Sequence, residues 1–233
     1  MDEKGKAKMG VDLPDWANRF VSFDTETTGT DEHARILEFG AVLWEKGEIS
    51  RRWDMYLNPG AIDLSKPDVK EALTVNGIDP ESLVGAPTFV QACKEIMGIL
   101  AQADVRVAHA SRFDSRMVRQ EFERGVQEGK LKWEDAGSSD RKRVLLDTQA
   151  LDLYLNPLQC SRSLKSTAAR WGVSGWQEHR ACGDAEAAGR IFLAMAPKLP
   201  DLATTCKENR LGQDRWDVIL AERKARATAG EAS

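Results

Sequence analysis

The sequence predicts an α/β sandwich built on a mixed five-stranded sheet, an antiparallel meander plus two parallel strands, flanked by helices. Two observations predict it. Three segments rich in β-branched and aromatic residues lie between residues 20 and 57, joined by turns too short for a crossover, and strands so joined pair antiparallel. After them the apolar spacing becomes helical, interrupted by two brief apolar runs at 105–108 and 144–146; short strands alternating with helices are the pattern of a parallel extension.

The elements follow in order. Phe20-Val21-Ser22-Phe23 reads as a buried strand that delivers Asp24 and Glu26 before Thr27-Thr28-Gly29 turns the chain. Residues 35–44 form the second strand, Lys46-Gly47 a tight turn, and 49–57 the third strand, closed by Asn58-Pro59-Gly60. A short helix is expected over 67–73. A longer one over 87–100 carries Phe89, Val90, Cys93, Ile96, Met97 and Leu100 on one side. The fourth strand, 105–108, leads into a helix over 111–126, and a polar loop over 129–140 precedes the fifth strand. Helices are expected over 148–155, 164–171 and 181–196, the last with Ala181, Ala185, Ala188, Phe192 and Met195 on one face. Beyond Pro200, Trp216, Ile219 and Leu220 mark a short helix that supplies nothing to the candidate site. The organisation expected is a disordered arm over 1–12, one catalytic domain over 13–200, and a C-terminal helix with a flexible tail over 201–233.

The chain has 233 residues, 42% hydrophobic and 30% charged, which suits one soluble globular domain with tails. No run approaches the ~20 apolar residues of a membrane span, and the first residues lack the apolar core of a secretory signal. Four scattered cysteines show neither C-x-x-C nor zinc spacing, as in a reduced cytoplasmic protein. A net charge of −4 argues against nucleic-acid binding by bulk charge but not against a local site. The clusters Arg51-Arg52, Arg141-Lys142-Arg143 and Arg223-Lys224 have acidic neighbours and read as solvated faces.

The chemistry begins at Asp24 and Glu26. Residues i and i+2 of a strand share a face, so the two carboxylates converge and repel unless a cation lies between them. A hard, oxygen-ligated ion, Mg²⁺ or Mn²⁺, is the natural occupant. The plainer reading is a turn-capping Asp and Glu that face water. Asp114 opens the fourth-strand helix, where Ser111-x-x-Asp114 also has capping-box spacing. Asp184 lies in the first turns of the last core helix and His179 in the loop before it, so both can reach one pocket. Four carboxylates and an imidazole from three distant segments suit metal-assisted phosphodiester hydrolysis. Two ions would activate water and stabilise the leaving oxygen, with His179 as general base.

These residues carry a resemblance. Phe23-Asp24-Thr25-Glu26-Thr27-Thr28-Gly29, then Ala108-His109-Ala110-Ser111-Arg112-Phe113-Asp114, then His179-Arg180-Ala181-Cys182-Gly183-Asp184-Ala185 resemble, in order, the three motifs of the DEDDh group of DnaQ-like exonucleases. That group includes the proofreading subunits of bacterial replicative polymerases. Ile36-Leu37-Glu38-Phe39-Gly40, Asn76-Gly77-Ile78, Asp147-Thr148 and Ser163-Leu164 are weaker similarities. The resemblance implies a ribonuclease H-like fold and removal of nucleoside 5′-monophosphates from a 3′ end. It implies that Asp24, Glu26 and Asp184 bind two ions, Mg²⁺ or Mn²⁺, that Asp114 holds one through water, and that Thr27 and Thr28 lie against the terminal nucleotide. Partners implied are single-stranded or frayed 3′ ends, DNA before RNA, and a DNA polymerase subunit, with no membrane. Ala110 and Asn76 depart from the group, which often has Asn and His there. A phosphatase with Asp24 as nucleophile would leave Asp114 and His179 without a role. A non-catalytic nuclease-like scaffold binding a polymerase or nucleic acid would have no use for the five residues.

Overall fold

The computed structural model describes residues 13–137, 143–158 and 161–228. The arm expected over 1–12 and the last residues of the expected tail, 229–233, lie outside them. The strands are β1 Arg19–Thr27, β2 Ile36–Glu45, β3 Glu48–Tyr56, β4 Val105–Ala108 and β5 Val144–Asp147. The helices are α1 Pro67–Asn76, α2 Phe89–Leu100, α3 Ser111–Gln127, α4 Thr148–Leu155, α5 Leu164–Arg170, α6 Ala181–Met195 and α7 Leu202–Thr228. Strand order is β3-β2-β1-β4-β5. β1, β2 and β3 pair antiparallel, and β4 and β5 extend the sheet in parallel from β1. This is the mixed sheet that the patterning predicts.

Strand alternation divides the core into two layers. Val21 and Phe23 of β1, with Phe39, Ala41 and Leu43 of β2, pack against α2 and α3 through Ile96, Met117 and Phe122. Phe20, with Val42 and Trp44, packs on the opposite face against Ile191, Phe192 and Met195 of α6. Each of the large apolar side chains among these contributes on the order of 1.5–3 kcal/mol by leaving water. Asp24, Glu26, Glu38 and Gly40 share the parity of the α6 layer, which decides where the acids point.

α6 lies unusually close to the sheet because its face is made of Ala and Gly. A Cβ at Gly40 of β2 would sit 2.1 Å from the Ala181 carbonyl carbon, and one at Gly189 would sit 2.3 Å from the Trp44 indole nitrogen. Gly40→Ala would push the N-terminus of α6 off the sheet.

Three local expectations need correction. α2 starts at Phe89, because Thr88 forms a capping box: its Oγ1 accepts from the Gln91 N–H, and the Thr88 N–H donates to the Gln91 side chain. Ser111 does not cap α3. It is the first helical residue, preceded by Ala110 at φ 59°, and its N–H and hydroxyl go to Asp147. The C-terminal helix is 27 residues long rather than short. It packs along α4 and β5, and Thr205 and Asn209 on it are buried.

Candidate active site

β1 ends in the carboxylates Asp24 and Glu26, both on the α6 side of the sheet. α6 brings Asp184 to them in its first turn. One oxygen from each of Asp24, Glu26 and Asp184 lies within 4.8 Å of the others. Asp184 is fixed at both oxygens: the Trp176 indole donates to Oδ1 at 2.8 Å, and the His179 backbone N–H donates to Oδ2 at 3.1 Å. The loop can double back this tightly because Gly183 has no Cβ; one would lie 2.2 Å from the Gln177 carbonyl oxygen. His179 stands in that loop, exposed, at φ 58°, a left-handed conformation that a few non-glycine residues including His tolerate.

Asp114 arrives from the other layer. Thr25, between Asp24 and Glu26, points to the α3 side, and its N–H and hydroxyl both donate to Asp114 Oδ1, at 2.9 and 2.8 Å. Asp114 therefore stands outside the cluster of three, bound to the same strand. The N-terminus of α3 that carries it is held by Asp147, which accepts from the Ala110 and Ser111 N–H groups at 3.0 and 2.8 Å. The same carboxylate caps α4 through the Gln149 N–H at 2.9 Å.

Thr27 and Thr28 are both buried and hold the turn. The Thr27 hydroxyl donates to the Gly29 carbonyl at 2.7 Å, while Thr28 Oγ1 accepts from the Arg35 N–H at 2.9 Å. Asn76 donates to the Thr27 carbonyl at 3.0 Å, so the end of α1 also anchors this turn.

Burial and mutual repulsion keep these carboxyls from ionising easily. Desolvation, reinforced by Asp114, Glu26 and Asp184, raises Asp24 well above the usual range. Glu26 is raised to about 7 by burial, then by Asp184 and Glu38, against the pull of Arg180. Burial lifts Asp114 to about 8, opposed by the two Thr25 bonds. Asp184 is raised by burial. A convergent, oxygen-only donor set whose charges disfavour one another fits a hard divalent cation.

With that geometry established, comparison with known proteins gives the family. The RNase T family, described as exonuclease, matches residues 21–192. The chain belongs to this exonuclease family. The PolC-type DNA polymerase III of Halalkalibacterium halodurans is 28% identical over 184 residues, 78% of this chain and 12% of that polymerase. The same figures hold for the Staphylococcus aureus polymerase. The chain thus spans only a small part of the curated relatives it matches. Among solved structures, exonuclease X in complex with 5′ overhanging duplex DNA has a TM-score of 0.58 at 16% identity, covering 83% of this chain and 99% of that one. E. coli exonuclease I in complex with a dT13 oligonucleotide has a TM-score of 0.59 at 19% identity, covering 78% and 40%. These likenesses show the ribonuclease H-like exonuclease fold.

In this site, sequence reasoning assigned no role to Thr25, Trp176 and Asp147, nor to Glu38, Arg180, Asn209 and Gln213. Glu38 and Arg180 stood inside quoted motifs, which was the available signal, and they form a bidentate pair beside Glu26 and His179. Asn209 and Gln213 of α7 secure Asp147: Asn209 Oδ1 accepts from its N–H at 2.7 Å, and the Gln213 side chain donates to its Oδ2 at 3.3 Å. Nothing local in 202–228 signals that contact.

Proposed function

We propose that the protein is a metal-dependent 3′→5′ exonuclease that hydrolyses the terminal phosphodiester bond of nucleic acid, DNA in preference to RNA, and releases nucleoside 5′-monophosphates. The observation that carries this is the convergence of Asp24, Glu26 and Asp184 within 4.8 Å, with Asp114 tied to the same strand. Membership of the exonuclease family and the order of the three motifs support it.

Asp24, Glu26 and Asp184 would hold two Mg²⁺ or Mn²⁺ ions, with Asp114 reaching one through water. Bound there, the ions supply a water nucleophile at neutral pH and charge stabilisation for the leaving oxygen. The rest falls to the chain's own groups. His179, exposed at the rim, accepts the water's proton on its ring as general base. The Thr27–Gly29 turn, pinned by Asn76 and Arg35, presents a rigid edge to the terminal nucleotide. The PolC relatives make a polymerase a candidate partner. An acidic chain without a basic stripe should neutralise few phosphates, so digestion should be distributive and faster on frayed or single-stranded ends.

The experiment is a metal titration on a 3′-labelled oligonucleotide, with Asp24→Ala and Asp184→Ala as controls. Loss of turnover in both variants and in excess chelator is expected. Substantial hydrolysis by Asp24→Ala would end the reading.

A further inference from the structure

We propose that Arg180, gripped by buried Glu38, is a positioning residue that fixes the His179 loop over the acidic face of the sheet and so sets the rate of hydrolysis. This rests on the reading of the site as hydrolytic.

The sheet register creates the need for a cation. Asp24 stands opposite Gly40, which stands opposite Asp54; Glu26 stands opposite Glu38, which stands opposite Tyr56. Directly paired residues share a face, so Asp24, Glu26, Glu38 and Asp54 all lie on the α6 side. Glu38 is fully buried, lies outside the cluster of three, and is raised to about 7 by burial despite the Arg180 bonds. A buried carboxylate that joins no metal cluster needs a partner of its own.

Arg180 is that partner. Its Nε and Nη2 donate to Glu38 Oε1 at 3.0 and 2.8 Å, with a further bond from Nε to Oε2 at 3.3 Å. Nη2 also reaches Asp54 Oδ2 at 3.4 Å, and the guanidinium lies 5.3 Å from the centre of the Tyr56 ring. Lysine offers no such fork. Arg180 is the residue that follows His179 and precedes the first residue of α6.

The loop requires such an anchor because His179 holds φ 58°. A left-handed residue persists only where its surroundings over-determine it. On one side the Gln177 carbonyl is seated against Gly183, in the middle the His179 N–H is bound to Asp184, and on the other side Arg180 is clamped to β2. Releasing the clamp frees the backbone that aims the imidazole while leaving the three clustered carboxylates on their own elements.

The test compares the full-length protein with R180A, R180K, H179A and the double variant. In single-turnover digestion of a 3′-labelled oligonucleotide, R180A and R180K should lose about 10²-fold in rate, the size of a misaligned catalytic group. In R180K, which keeps the positive charge that favours ionised Glu26, KM and Mn²⁺ binding by calorimetry should stay within about threefold. The double variant should be no slower than H179A, because Arg180 acts through His179, and added guanidinium should restore part of the R180A rate but none of H179A. A second readout needs no activity: the chain has three histidines, so its imidazole resonances can be assigned with H179A, and the His179 signal should broaden or split in R180A and R180K. R180K carries the test if R180A does not fold. Rates in R180A and R180K within about twofold of wild type, or losses that multiply in the double variant, would overturn the proposal. An inactive wild-type protein whose His179 resonance still responds to R180K would instead remove the hydrolytic reading and leave the clamp.

Discussion

Thr25 gives both its backbone N–H and its hydroxyl to one oxygen of Asp114. It is the neutral residue between two acids, and because strand side chains alternate it faces the opposite layer. The strand thus presents Asp24 and Glu26 to α6 while holding α3 by the residue between them.

Thr25→Val keeps shape and β propensity but removes one of the two donors to a buried carboxylate. The expected cost is about 1–3 kcal/mol. In a protein of this length that corresponds to a melting temperature lower by several degrees, at about 2–4 °C per kcal/mol. Calorimetry measures the shift, and a parallel activity assay should need a higher metal-ion concentration to reach half-maximal rate. Unchanged melting and metal response would mean that Asp114 is placed without the hydroxyl.

The crowded acids predict a trade between stability and function. Asp24→Asn removes a group whose ionised form is disfavoured by burial and repelled by Asp114, Glu26, Asp184 and Glu38. Without metal the variant should melt above wild type, by about 2–4 °C for each kcal/mol of repulsion relieved, while losing activity. Mg²⁺ or Mn²⁺ should raise the melting temperature of wild type and leave that of the variant nearly still. Thermal scans with metal and with chelator decide it; equal metal shifts in both proteins would count against a cation at Asp24.

Asp152 predicts the acid limit of stability. It is fully buried, where desolvation alone would raise its pKa. Bonds from Arg170, Trp171, Asn156 and Arg162 overcome that and hold it below its ordinary value. A carboxyl depressed in the folded state stabilises it above the unfolded-state pKa, near 3.8, and loses that contribution as pH falls through the lower folded value. Asp152→Asn should cost about 3–5 kcal/mol at neutral pH, since the Arg162 charge stays buried. Its disadvantage should shrink as pH drops below about 4. Urea unfolding of both proteins across that range gives the difference directly, and a constant gap would refute the assignment.

α7 predicts the outcome of truncation. Asn209 satisfies the backbone of β5 on both sides, accepting from Asp147 N–H at 2.7 Å and donating to the Leu145 carbonyl at 3.3 Å. A fragment ending at Leu199 leaves those buried groups unpaired and uncovers α4. It should fail to fold cooperatively, and Asn209→Ala in the full chain should cost about 1–3 kcal/mol. A fragment with a sharp thermal transition and activity would show that the helix is dispensable.

What could be read from the sequence was local. The α4 bounds, Thr148–Leu155, match expectation residue for residue, because apolar periodicity is a property of backbone geometry that neighbouring residues share. The common face of Asp24 and Glu26 follows from the same two-residue repeat. The tertiary structure decided which distant groups answer each local feature. Ser111 has the spacing of a cap, yet Asp147, 36 residues later, takes that role. Arg180 meets Glu38 across 142 residues, and the C-terminal helix reaches Asp147 from 62 residues beyond. Periodicity tells a segment which of its faces to bury but not against what. The partner of a buried charge is chosen only when two layers close on it, and then unpaired alternatives cost several kcal/mol.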